Sequence, residues 1–160
     1  MIYLDNGATS YPKPDVVGDA VYDYIKNVGS NINRGGYAKA YSAAGVVLET
    51  REMISKMMNG YGSRYTIFTP GNTYSLNFLI KGLARKGDKI LISGMEHNAV
   101  YRPAYQLEQE GLIEVGYMPC NERGELKLEE ALAMIDESVR AVVMVHASNV
   151  SGTLMPIREV

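Results

Sequence analysis

The sequence predicts an α/β fold built on a mostly parallel sheet. Three observations predict it. From Arg64 onward, short apolar runs alternate with segments of helical period. The run "AVVMV", 141–145, is apolar throughout, which suits a strand covered on both faces. A chain of 160 residues suits one domain, able to bury roughly 68–70% of its unfolded surface.

Residues 2–4, "IYL", read as a short strand, and "DNGATSYPKP" as a turn-rich loop with two prolines and a glycine. Residues 1–15 are thus a strand-and-loop segment, and the domain proper runs over 16–160. Asp15 is placed to cap a first helix. Its apolar positions are Val17, Ala20, Val21, Tyr24, Ile25 and Val28, and Gly29 stops it. The loop "SNINRGGYAKA" holds a Gly-Gly pair beside Arg34. A long helix follows over about 38–58, with Val47, Leu48, Ile54 and Met58 inward, ended by Asn59-Gly60.

"YTIFT", 65–69, is a predicted strand. Residues 72–85 form a helix with Leu76, Leu79, Ile80 and Leu83 on one face. "KILIS", 89–93, is a strand. A helix runs from Asn98 to Gly111, with Pro103 breaking or restarting its first turns. "LIEVGYM", 112–118, is a strand, 128–136 a short helix, and "AVVMV" the last strand. "GTLMPIREV" reads as a helix entered through Pro156 that stops within its first turn. On that ground the chain is expected to be the first part of a longer protein.

Formal net charge is −2 and the basic residues are scattered, so neither nucleic acid nor an acidic membrane is an expected partner. No apolar run approaches the roughly 20 residues of a membrane span. The N-terminus lacks a basic region followed by a hydrophobic stretch, so no secretory signal is expected. The single cysteine, Cys120, excludes an internal disulfide and fits a reducing cytoplasm.

Ligands of open α/β sheets bind outside the carboxyl ends of the strands. Three unusual stretches fall at such ends: "TPGNTYS", "GMEHN" and "HASNVSG". "TPGNT" leads into a helix, whose free N–H groups and positive dipole end suit a phosphate. Gly71 would permit close backbone approach and Thr73 adds a hydroxyl. The same stretch also reads as an ordinary capped turn, and it lacks the phosphate-loop pattern ending in Gly-Lys-Ser/Thr. His97 is an acid/base group, a stacking group, a metal ligand or a histidine satisfied within its turn. With only His146 for company it makes no metal site, so no metal is expected. His146 closes a buried strand. Asn149 offers an amide to a ligand or forms a turn. Glu96 reads as a solvated or capping carboxylate, and the methionines as core filling.

Four stretches in this order carry a resemblance: "IYLDNGATSYPKP", "FTPGNTYSLNFLIKGL", "GDKILISGMEHNAVYRP" and "SNVSGTLMPI". Over essentially the whole chain the sequence resembles the class V aminotransferases. It is most similar to their cysteine desulfurase and selenocysteine lyase branch. These are pyridoxal phosphate (PLP) enzymes of fold type I, with a three-layer αβα large domain. The resemblance makes 16–160 the N-terminal half of that PLP-binding domain. It implies PLP as cofactor, an amino-acid substrate, a homodimer and a sulfur-acceptor protein. It also implies removal of sulfur or selenium from cysteine or selenocysteine to leave alanine. An aminotransferase, an epimerase and a non-catalytic fragment are the alternatives.

By the same resemblance, Asn72, Thr73 and the adjacent backbone hold the PLP phosphate. His97 stacks on the pyridine ring and moves protons, so it is the implied catalytic residue. Asn149 bonds the phenolic oxygen. Gly7, Ala8, Thr9 and Arg34 lie toward the substrate. Departures occur at Tyr74, where relatives carry Glu, at Tyr37, where they often carry His, and at "DNGAT" in place of "DNAAT". The family's sheet places the strand at 89–93 between those at 112–118 and 141–145, with "YTIFT" across strands absent here. PLP chemistry needs a lysine for the Schiff base and an acid for the pyridinium nitrogen. The resemblance puts both beyond residue 160, and the desulfurase cysteine later still, so Cys120 is not given that role. Activity is therefore expected of the complete family member and not of these residues alone.

Overall fold

The computed structural model describes residues 2–32 and 35–160. Arg34, a substrate-side candidate, lies outside the described residues. The chain forms two compact units, Met1–Phe68 and Thr69–Val160.

In the first unit, helix α1 spans Asp15–Asp23 and passes into a π-helical turn, Tyr24–Val28. Pro14 holds the cap position, and Asp15, expected to cap, instead sits in the first turn. There its charge faces the positive end of the helix dipole. Gly29 ends the helix as expected. Its φ is 46°, and its N–H bonds the Tyr24 carbonyl at 2.7 Å. Helix α2 spans Ala38–Met57. Its buried residues are Ala40, Ala43 and Ser55, with Val47 and Ile54 half-buried. Leu48 and Met58, expected inward, are exposed. Leu48 lies one position round from the buried stripe, and Met58 stands past the last turn. Ser55 closes that end: its Oγ accepts the Gly62 N–H at 3.0 Å and its carbonyl the Gly60 N–H at 2.7 Å.

Neither "IYL" nor "YTIFT" is a strand. Residues 2–4 are coil, and Ser63–Tyr65 form a 3-10 turn followed by coil. Both runs have strand composition, but a strand is stabilised by a ladder with a neighbour. Among the described residues no strand pairs with either, and Ile2, Leu4 and Ile67 are exposed.

The second unit is the αβα sandwich. Its sheet has β1 (Asp88–Ser93) in the centre, β2 (Ile113–Met118) on one side and β3 (Val139–Val143) on the other, all parallel. That is the neighbour order expected. On one face, Ile90 and Ile92 of β1 and Ile113 and Val115 of β2 pack under helices α3 (Asn72–Leu83) and α4 (Asn98–Gln109). On the other, Leu91 and Met118 meet Ala131 of the short helix α5 (Leu128–Leu132), with Val139 and Val142 of β3. Alternation within β1 divides the two faces, as a pleated strand buried on both sides requires.

The core stripe of α3 is Leu76, Ile80 and Ala84. Leu79 and Leu83, expected on that face, are exposed. An i, i+4, i+8 row meets the sheet, and the flanking row faces away from it. Pro103 does not break α4. It is buried in the middle of the helix, so its packing offsets the bond it cannot give to the Ala99 carbonyl. Helix α5 ends four residues earlier than expected at Leu132, and β3 is shifted toward its N-terminus, so that Met144 and Val145 lie past the ladder. Residues 157–159 make a single turn, with the Glu159 N–H on the Pro156 carbonyl at 3.2 Å, in place of the expected helix.

Gly116 pairs in register with Leu91, which is fully buried. A Cβ at Gly116 would stand 2.4 Å from Leu91 Cδ2 and 3.3 Å from Met134 Cε. The leucine lies over the glycine and has no room to retreat. Gly116→Ala is therefore expected to destabilise the protein by about 1–3 kcal/mol, the cost of overpacking a core. Urea denaturation reads this directly, and an unchanged midpoint would show that the core yields.

Candidate functional site

Strands β1 and β3 are parallel, so Ser93 and Val143 end at one edge of the sheet. Helix α4 begins there, with four residues between it and β1. Helix α3 ends just before β1 starts, and so its N-terminus points back toward the same edge. The segments bearing Thr73, His97 and Asn149 are thereby brought to one side of the second unit.

The start of α3 is built by Thr69 and Gly71. Thr69 Oγ1 donates to the Gly71 carbonyl at 3.1 Å and is hydrogen-bonded to Ser75 Oγ at 2.6 Å. The Gly71 carbonyl also takes the N–H groups of Tyr74 and Ser75 at 3.0 and 3.1 Å. Gly71 holds the cap position with no side-chain cap, so the N–H groups of Asn72 and Thr73 are left facing outward. An added Cβ at Gly71 would meet nothing within 4 Å. The loop borders an open hollow of about 570 Å³, lined by Pro70, Gly71, Asn72, Thr73, Tyr74 and Asn77.

A groove of about 330 Å³ adjoins it, sharing Thr73 and Asn77 with the hollow. His97, Asn98, Arg102 and Gln106 of the α4 segment supply its other wall. The lining has one fixed cation, Arg102, and no carboxylate. His97 caps α4: its Nδ1 accepts the Ala99 N–H at 3.0 Å. That bond makes Nδ1 an acceptor and so puts the proton of the neutral ring on Nε2. The histidine is thus satisfied in its turn at one nitrogen, while the ring is exposed and Nε2 has no partner among the described residues.

Asn149 sits in a hairpin tip, with Ala147 bridged to Leu154 and the Ser148 N–H on the Thr153 carbonyl at 2.9 Å. The turn former is Ser148, which is buried. Its Oγ accepts the N–H groups of Val150 and Ser151 at 3.3 and 3.2 Å. Asn149 is exposed, and its amide has no partner among the described residues. It does not line the groove that holds Thr73 and His97.

His146 lines a separate apolar groove with Val142, Met144, Ile157 and Val160. Among the described residues no three His, Cys, Asp or Glu gather as a metal site needs. Burial pushes the Cys120 thiol above its ordinary range, which keeps it protonated. Gly7, Ala8 and Thr9 belong to the first unit. They form a tight turn in which the Ala8 and Thr9 N–H groups bond the Asp5 carbonyl at 3.1 and 3.3 Å.

The sequence reads Glu96 as a solvated or capping carboxylate, and the structure gives it another place. It is neither solvated nor a helix cap: Oε1 accepts Ser93 Oγ–H at 2.5 Å and the Val145 N–H at 2.5 Å. The sequence signal was only its place between a strand end and His97.

A family model described as aminotransferase class-V matches residues 2–160. A probable cysteine desulfurase of Halalkalibacterium halodurans is 32% identical, with 100% of this chain and 40% of the relative covered. A cysteine desulfurase of Haloferax volcanii is also 32% identical, with 99% and 38% covered. Among solved structures, the apo cysteine desulfurase of Thermococcus onnurineus NA1 superposes with a TM-score of 0.90 at 27% identity, covering 99% of this chain and 40% of that one. The chain spans about 40% of the length of these relatives.

Proposed function

The chain belongs to the class V aminotransferase family and has the fold-type-I architecture of its solved relatives, and from that premise we propose that it supplies the N-terminal part of a PLP-dependent cysteine desulfurase. Residues 16–160 would form the first half of the PLP-binding domain. The observation that carries the reading is the juxtaposition of the α3 N-terminus, Thr73 and the His97 ring around one hollow and groove. These residues fit the cofactor. The loop has outward N–H groups for a phosphate and a glycine whose missing Cβ leaves the cradle open. PLP supplies an electron sink for charge developing on the amino acid's α-carbon.

The chain's own residues bind and orient. Asn72 and Thr73 would hold the phosphate through their backbone N–H groups, and Thr73 also through its hydroxyl. His97, held through Nδ1, presents a flat ring for the pyridine to lie against. Its Nε2 is the atom available to hold or pass a proton. Asn149, whose amide has no partner among the described residues, would hold the cofactor's phenolic oxygen. Gly7, Ala8, Thr9 and Arg34 are the substrate-side residues that the family resemblance proposes. The substrate is cysteine, or its selenium analogue, and alanine remains when sulfur passes to an acceptor protein. The names of the relatives favour cysteine. A homodimer in the cytoplasm is the form proposed. The lone cysteine agrees with that compartment, and no helix among the described residues is long and apolar enough to cross a membrane.

The test is a PLP titration of the protein as its gene expresses it, with alanine measured on adding cysteine, and sulfide measured when a thiol reductant is also present to reduce the transferred sulfur. Gly71→Val should weaken PLP binding at least about tenfold, the effect of losing a hydrogen bond to a charged group. Its melting temperature should not change, because the new side chain enters open space. Equal PLP affinity in wild type and variant would remove the phosphate cradle from this loop.

A further inference from the structure

The β1–β3 ladder ends at the pair Ile92 and Val143. Two residues on, the Val145 N–H has left the sheet and finds the carboxylate of Glu96, 49 residues away in sequence. The same Oε1 accepts the hydroxyl of Ser93, the last residue of β1. One side chain therefore continues the junction of the two strands past the point where their backbones stop pairing.

The position of this tie matters because of what flanks it. His97 follows Glu96 directly and is fixed on its other side by the Ala99 N–H. On the far strand, Val145 opens the hairpin that carries Asn149 at its tip, and the Met155 N–H on the His146 carbonyl at 2.9 Å closes it. The geometry points to Glu96 as a positioning residue that sets the spacing between His97 and the Asn149 hairpin. It touches neither cofactor nor substrate and acts through its two neighbours. Its bearing on the cofactor rests on the reading above, whereas the tie itself does not.

Amide hydrogen exchange, thermal melting and PLP titration of the gene-expressed protein test the two parts separately. In wild type, Val145 should exchange as slowly as Ile90–Ile92. Fast exchange there overturns the proposal without any variant. Glu96→Ala should speed exchange at Val145 and across 147–149 at least about tenfold, leaving Ile90–Ile92 protected. Bound PLP should show a shifted absorption maximum and roughly tenfold weaker affinity. Glu96→Gln keeps an oxygen acceptor for both donors and should restore all three readouts, while Glu96→Asp, one methylene shorter, should not. That pattern separates positioning from a general loss of stability. Unchanged exchange and spectrum in Glu96→Ala would sink the idea. Should Glu96→Ala not fold, the wild-type rate and the Asp and Gln pair still decide. If wild type binds no PLP while Val145 responds as described, the cofactor reading fails and the Glu96 tie stands.

Discussion

Residues 1–160 expressed alone, with PLP, cysteine and a thiol reductant added, should release no sulfide above background and yield no single lysine fixed by borohydride. The expected change is the whole of the activity. PLP enzymes hold the cofactor on a lysine placed within the site. The hollow and groove around Thr73 and His97 contain none. In the second unit, Lys81 Nζ is engaged by Gln106 Oε1 at 2.9 Å, Lys127 lies 3.2 Å from Glu130, and Lys89 lies 3.9 Å from Asp136. Cys120, half-buried and kept protonated, offers no sulfur nucleophile either. Added PLP can then only associate or react with surface amines at random, which mass spectrometry reads as a spread of modified lysines. One modified lysine together with steady sulfide release would show that these residues hold a complete centre.

Thr73→Ala in the gene-expressed protein is expected to weaken PLP binding by roughly ten- to a hundredfold, the equivalent of about 1.5–3 kcal/mol for one hydrogen bond to a charged group. Thr73 is exposed in the first turn of α3, and its hydroxyl makes no hydrogen bond among the described residues. The substitution therefore removes no bond that holds the fold, and Ala is the better helix former. Stability should stay level or rise slightly while affinity falls. A titration with equal affinity would move the phosphate elsewhere, and a fall in melting temperature would show that Thr73 serves the fold.

Much of the second unit was legible because its signals are local. "KILIS" and "LIEVGYM" are apolar runs of strand length, and both faces of β1 are buried. The helices α3 and α4 declare themselves by period, and His97 by its place just after a strand. What was not legible depends on distant partners. "IYL" and "YTIFT" have strand composition, but composition cannot supply the neighbouring strand whose carbonyls would take their N–H groups. Leu79 and Leu83 look like Leu76 in a periodic pattern, yet only the sheet decides which row of α3 it covers. Ser148 and Asn149 both suit a turn, and the choice between them was made by the Thr153 carbonyl across the hairpin. Glu96 was hidden most completely, since a backbone N–H 49 residues away gives it its role.

The register of the sheet also orders events in time. Pairing β1 with β2 closes only the α4 crossover, whereas pairing β1 with β3 closes a span roughly twice as long, at an added entropic cost of about 0.6 kcal/mol. The first crossover is therefore the expected nucleus, with β3 docking onto a strand–helix–strand unit already formed. The bond from Val145 to Glu96 can close only after that docking. Until then His97 is capped at the head of α4 while the Asn149 hairpin still lacks the sheet it hangs from. His97 and the Asn149 hairpin are thus placed separately, and their spacing is the last thing this unit acquires as it folds.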